Sequence, residues 1–339
     1  EEALSPKDGA QFHFAFPGSV QGFQVVDGDA TLANVELPSG ERALAVDTDG
    51  VARIGTPVFI PSKEVADYFE DRVYPLLASP RIFPGQRLEA RLSTTASNVT
   101  ANLFLRYYGA DDEPGTFDAD AVEVGGTAVT RLSCTVPELG GPIFLAGVRI
   151  QGRAATVHLE ALSWSGAPEF VLERPSHQGT MWKRAWVNGV DMLTTWSELF
   201  RLVQNEGVGL LMQGTEEWRD YACSARLTPH LVRRSGVAVR VQGLRRYYGL
   251  LLATGNRIQL VRMLHDEQVL AEADFDWQFG ATYELTLEAA GGRLTGRVDG
   301  QVLVEARDDA FDGGAIGLVA QEGRVGVHRV AVSPAAAAN

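Results

Sequence analysis

The chain reads as all-β, built as two antiparallel β-sandwiches, and three observations predict this. The stretch Trp218–Leu227 alternates: Tyr221, Cys223, Ala225 and Leu227 point one way, Asp220, Ser224 and Arg226 the other, the period of a half-buried strand. Segments of that kind recur along the chain, separated by Gly, Pro and Asn/Asp turn signals and with almost no helical periodicity. At 339 residues the chain is long enough for two domains, each burying its own core.

In order, the alternating aromatics Phe12, Phe14 and Phe16 start a strand, and Asp27-Gly28 turns the chain after Gly22–Val26. Short strands are expected at 43–46 and 57–60. Ser62 followed by Val65 and Phe69 predicts a capped helical turn, and Pro75, Pro80 and Pro84 then hold the chain extended. Strands follow at 86–94, 99–107, 121–124, 128–135, 143–150 and 155–164. The stretch 165–180, with Gly166, Pro168, Pro175 and Gly179, has no period. Further strands are expected at 199–203, 208–212, 218–227, 237–241, 247–253, 257–263, 269–274, 283–288, 294–298, 302–306, 315–320 and 325–332, with Asp299-Gly300 as a hairpin turn. The expected organisation is a sandwich over 8–166, a connecting segment over 167–195 and a second sandwich over 196–334.

Charge supports the division. Residues 1–176 carry 13 basic and 24 acidic side chains, a balance of −11, whereas 177–339 carry 17 and 19, a balance of −2. The net charge of −13 argues against a nucleic-acid partner, whose phosphates demand a basic face. A content of 45% hydrophobic and 22% charged residues, with no apolar run near the roughly 20 residues of a spanning helix, argues against a membrane partner. The chain opens without a signal-peptide pattern, and Cys134 and Cys223 read as unpaired thiols in different domains, which together favour the cytoplasm.

The two halves also share short matches in the same order. Glu89–Ser93 matches Ser224–Thr228, Arg106–Gly109 matches Arg246–Gly249, and Gly140–Ile143 matches Gly313–Ile316. Val157-His158 with Ser163 matches Val327-His328 with Ser333. Common architecture is the expectation, with a duplicated origin as one account of it.

Trp218–Tyr221, Arg246–Tyr248, Val269–Glu272, Phe275–Trp277, Gly280–Tyr283 and Gly313–Leu318 resemble the concanavalin A-like, laminin-G-type jelly roll over residues 196–334. That module is appended to many bacterial sugar-active enzymes. The first half is more loosely similar to a galactose-binding-type sandwich. The pair, with Gln204–Gly207 and Gln213–Thr215, also resembles the C-terminal region of bacterial ADP-ribosylglycohydrolase-like proteins. That resemblance implies an accessory region whose catalytic helical domain lies outside this chain; the family's Thr-Asp-Asp metal motif has no match here.

Glu272, Asp274 and Asp276 alternate on one strand face and are the candidate catalytic set of a glycoside hydrolase or lyase. On a regular strand the outer two lie roughly 13 Å apart and neighbours about 6.8 Å, against about 5 Å for a retaining pair. Solvated outer-face residues are the competing account. The loop 111–120 offers Asp111, Asp112, Asp118 and Asp120, with Glu160 on a later strand, as oxygen ligands for a structural calcium, though the spacing fits no loop motif. No other cofactor is expected. For a glycan, Tyr108 and Tyr248 supply rings, and Arg240 and Arg246 supply planar donors suited to carboxylate or phosphate. The six histidines lack metal spacing, and nucleophile-elbow, phosphate-loop and dinucleotide motifs are absent. Three functions stay open: a non-catalytic, carbohydrate-binding pair that also positions a catalytic domain or partner subunit, an enzyme acting through jelly-roll carboxylates, and a structural scaffold.

Overall fold

The structure, a computed structural model, describes residues 10–70, 77–126, 128–195 and 197–336; the expectation at Pro75 lies outside them. The chain divides into two compact units, Glu1–Val65 with Arg81–Gly166, and Ala66–Pro80 with Ala167–Asn339. Among the described residues the strand pairings in both are antiparallel.

In the first unit, β1 (Ala10–His13), β2 (Gln24–Glu36), β3 (Arg42–Gly55), β4 (Arg87–Ser93), β5 (Val99–Tyr108), β6 (Pro114–Asp118), β7 (Val122–Val124), β8 (Thr130–Thr135) and β9 (Ile143–Ser165) form the sheet. The expected strands at 143–150 and 155–164 are one strand, β9, that serves both layers. Its first part pairs with β5 and the end of β3; its second part pairs with the start of β3, with β4 and with β1. The turn signals read there mark a bend. β2 shifts register at Gly28/Ala30 and β3 at Thr48/Gly50, while Ala154 takes a φ of +45°, so the three strands corner together. Inward residues of both layers (Leu88, Ala90 and Leu92 with Leu103, Leu105 and Ile150) join one core around Phe12, Phe23 and Trp164.

The segment 57–60 is not a strand. Helix α1 (Lys63–Glu70) forms as expected, with Ser62 Oγ accepting from the Val65 N–H at 3.3 Å.

The second unit contains β10 (Phe170–Glu173), helix α2 (Met181–Arg184), β11 (Val187–Gly189), β12 (Met192–Thr194), β13 (Phe200–Gln213), β14 (Tyr221–Gly243), β15 (Arg246–Ala253), β16 (Arg257–Leu264), β17 (Asp266–Asp274), β18 (Tyr283–Ala290), β19 (Arg293–Val298), β20 (Gln301–Arg307) and β21 (Ala315–Pro334). β10, β11 and β12 fall in the segment read as a connector; they pair with β21 and β13 and belong to the sheet. β13, β14 and β21 each merge two expected strands and run through both layers. Their corner sits at Gly323, which pairs with both Gln204 and Val232, each beside a register shift. Gly323 has a φ of +141°, and a Cβ there would lie 1.9 Å from the Leu231 carbonyl oxygen, so only glycine fits. Tyr221 ties the far end: its hydroxyl accepts from the Arg240 N–H at 2.7 Å and faces the Gly314 and Ala315 carbonyls at 2.7 and 2.9 Å.

The internal matches are structural in part. Arg91-Leu92 in β4 and Arg226-Leu227 in β14 sit at the same bulge, where the partner strand pushes out Glu160 in one unit and His328 in the other. Ser93 donates to Glu160 at 2.9 Å, and Thr228 bonds His328 Nε2 at 2.8 Å, at matching positions. Two matches need correction. The structural counterpart of His328 is Glu160, so the His158 match is two residues out of register. Arg106–Tyr108 of the first match lie in β5, which pairs directly with β9, whereas Arg246–Gly249 lie in β15, which pairs with β14 and not β21.

Candidate functional site

Three of the four residues expected to bind a glycan meet at Phe311, in the loop before β21. Tyr248 packs edge-on against its ring at 5.1 Å, Arg240 donates to its carbonyl at 2.8 Å, and the Arg246 guanidinium lies 5.3 Å from its ring centroid. Tyr248 is fully buried, its hydroxyl held between Asp308 and the Phe311 N–H, and burial pushes its phenol up to about 12. Arg240 is buried too and also donates to the Gly291 carbonyl at 2.7 Å. These two clamp a loop and present nothing to a ligand; only Arg246 is exposed. Tyr108 is buried against Phe144, ring centroids 4.6 Å apart, which removes it as an open platform.

The carboxylates of β17 are paired across the sheet. Arg257 donates to Glu272 at 2.7 Å and to Asp274, Gln259 donates to Glu272 at 3.2 Å, and Asn256 donates to Asp276 at 2.7 Å. The Gln259 and Arg257 hydrogen bonds hold the Glu272 carboxyl below the ordinary range, the opposite of what a general acid needs. β17 ends the sheet order and Asp274 stands in solvent.

The calcium candidates scatter. Asp118, on β6, bonds Arg53 at 2.8 Å and Asn102 at 3.1 Å; Asp111 and Asp112 lie in a short 3-10 turn, Asp120 is exposed, and Glu160 is engaged by Ser93 and Arg91. Among the described residues no group of three or more His, Cys, Asp and Glu is arranged to hold a metal.

On the outer face of β16 and β17 polar groups abound but are mutually satisfied. Arg234 forks onto Glu267 at 2.6 and 2.7 Å, and Arg257 onto Glu272 and Asp274.

The first unit offers a different surface. Residues paired across antiparallel strands share a face. His13, Ala161, Arg91 and Arg131 therefore form one outward row across β1, β9, β4 and β8, and Gln11, Ser163, Glu89 and Ser133 form the next. Leu92, Leu132 and Leu162, of opposite parity, fill the core beneath. The small side chains Ala161 and Ser163 leave a recess of about 200 Å³, rimmed by Gln11, His13, Glu89, Arg91 and Arg131. The rim is planar and hydrogen-bonding, with an imidazole, an amide, a carboxylate and two guanidiniums on rigid strands. Glu89 accepts from Arg87 at 3.0 Å, and Arg91 pairs with Glu160 at 3.4 Å. The Arg131 side chain makes no hydrogen bond or ion pair among the described residues, and the buried Arg91 Nε has no acceptor. A larger recess of about 360 Å³ lies at the corner of β2, β3 and β9, but its Asp47 already accepts from Thr31 and Thr156, and its Asp49 from the Ala154 N–H.

His13 and Arg131 carry no motif, and only the strand pairing brings them beside Arg91. The match between Ala90-Arg91-Leu92 and Ala225-Arg226-Leu227 was the one local signal pointing to this row.

No family model matches this chain. No curated protein matches it either.

Among solved structures, the carbohydrate-binding module CBM66 from Bacillus subtilis is 17% identical with a TM-score of 0.41, covering 44% of this chain and 94% of that one. The tandem CBM22-1–CBM22-2 domain of Paenibacillus barcinonensis Xyn10C is 11% identical with a TM-score of 0.34, covering 98% and 100%. A Bacillus subtilis protein of unknown function with a galectin-like fold is 12% identical with a TM-score of 0.38, covering 50% and 98%.

Proposed function

We propose that this chain is a non-catalytic pair of β-sandwiches that binds carbohydrate on the outer face of β1, β9, β4 and β8. The recess over Ala161 and Ser163 carries the reading: a shallow, rigid depression rimmed by planar donors and acceptors, one of them unpaired, is what a saccharide's hydroxyls require. At about 200 Å³ it sits below the roughly 300–1,000 Å³ of drug-sized clefts and suits a single sugar unit of a longer chain.

In this reading the binding serves a catalytic domain outside these residues, of the kind carried by the ADP-ribosylglycohydrolase-like proteins whose C-terminal region the two-sandwich arrangement resembles, while residues 196–334 on their own resemble a laminin-G-type module. A glycan array with the intact chain tests the proposal. Specific binding that falls at least tenfold in Ala161→Arg, with the circular dichroism spectrum unchanged, supports it. Failure to bind any glycan class overturns it and leaves the scaffold reading.

A further inference from the structure

We infer that the recess takes a sugar bearing an oxyanion, a carboxylate or a sulfate, an inference that rests on the carbohydrate-binding reading above. It comes from setting the two units side by side at their shared bulge. In the second unit the row matching His13–Ala161–Arg91–Arg131 is Glu173–Arg329–Arg226–Glu284, read across β10, β21, β14 and β18. There the position of Ala161 holds Arg329, whose guanidinium bonds Glu173 at 3.4 Å, and the row carries two acids against two arginines. The first unit keeps the inner arginine and the bulge and changes the other three positions. Ala161 removes the side chain that would fill the depression. His13 and Arg131 replace both carboxylates.

The outcome is a row with no acid of its own. Arg91 is answered from the flank by Glu160 at 3.4 Å and more weakly by Glu41 at 3.9 Å, and Glu89 in the next row by Arg87 at 3.0 Å. Arg131 is left as the uncompensated charge, beside a buried Arg91 Nε that lacks an acceptor. This unpartnered arginine lies in the half of the chain whose balance is −11, where carboxylates to pair with it are plentiful. Two guanidiniums on neighbouring strands, Cβ atoms about 5 Å apart, can place N–H groups on both oxygens of one carboxylate or on two of a sulfate. Gln11, Ser163 and Glu89 in the adjacent row then meet the ring hydroxyls. A neutral sugar would use that second row and leave Arg131 unanswered.

The test is calorimetric titration of the intact chain with matched saccharides: a uronic-acid oligosaccharide and its methyl ester, and a sulfated galactan and its desulfated form. Binding of the uronate at least tenfold tighter than its ester, with the preference lost in Arg131→Gln and weakened as salt rises from about 0.05 to 0.5 M, supports the inference with carboxylate as the source. The same pattern for the sulfated over the desulfated galactan supports it with sulfate as the source. Equal binding of charged and neutral forms, or a preference untouched by Arg131→Gln, overturns the inference while the carbohydrate reading stands. Absence of binding in all four arms overturns both. Arg131 is exposed and unpaired, so its replacement leaves the fold intact, and Ala161→Arg, copying Arg329, is the second variant expected to abolish binding.

Discussion

The hydroxyl of Tyr248 donates to Asp308 Oδ1 at 2.6 Å and accepts from the Phe311 N–H at 3.1 Å, fastening the loop that leads into β21. Removing it in Tyr248→Phe leaves the buried Phe311 N–H without an acceptor, while Asp308 keeps Arg262 at 2.6 Å and the Ala310 N–H at 2.9 Å. The expected cost is about 1–3 kcal/mol in urea unfolding. Saccharide binding is expected to be unchanged, because the ring faces the core. A loss of binding without a loss of stability would return Tyr248 to the ligand set.

Acid sensitivity should be concentrated at Glu198. Burial favours its neutral form, but bonds from Arg201 at 2.8 and 2.9 Å and from Ser197 at 2.9 Å outweigh it and hold the carboxyl down to about 2. A depressed carboxyl stabilises the fold above its unfolded value near 4.5 and loses that contribution as pH falls toward 2. His230 and His328 add a separate loss that begins below 6.5, since burial lowers both and the unfolded chain takes up those protons first. Denaturation followed from pH 7 to 2 is expected to show both declines. Glu198→Gln should shrink the lower one by about 3 kcal/mol, Asp308 and Asp312, which are also held below the ordinary range, supplying the rest, and a profile identical to the parent would refute the assignment.

Gly323→Ala should destabilise by at least about 2 kcal/mol, since its φ of +141° and the nearby Leu231 oxygen exclude a side chain. The same replacement at Gly40, whose Cβ would meet nothing within 4 Å, pays only for its φ of +85° and is expected to cost less. Thermal unfolding of the two variants makes the comparison.

Much of the strand content was legible from apolar or alternating runs between turn signals: β4, β5, β15, β16, β18 and β19 lie within a residue or two of their expected ends, with β4 and β18 alternating and β5 and β15 buried on both faces. Corners were not. Glycines and left-handed residues at 152–154, 207 and 322–323 signal a turn when read locally, yet here a strand bends between layers and goes on. The binding set fared worse for a related reason. Tyr248 and Arg240 have the chemistry of a sugar site, but parity and the 311 loop turn both inward. His13, Ala161, Arg91 and Arg131 are scattered over 149 positions, and three pairings that sequence does not display put them in one row.

Thiol accessibility offers a further check. Burial pushes the Cys223 thiol up to about 12 and raises Cys134 as well, and the two are unpaired. Aromatic disulfide reagents at pH 8 are expected to modify Cys134 slowly and Cys223 only when denaturant is added. Fast labelling of Cys223 in the native protein would contradict the packing of β14.

β17 is the outermost member of its sheet order, and an unpaired strand margin invites a second molecule to continue the ladder. Asp266, Glu267, Glu272 and Asp274 load this margin with negative charge, only partly offset by Arg234 and Arg257. Two copies brought margin to margin would repel, which disfavours continuation of the ladder. Neutralising Glu272 and Asp274 together should therefore leave the monomer folded while light scattering reveals self-association at concentrations the parent tolerates.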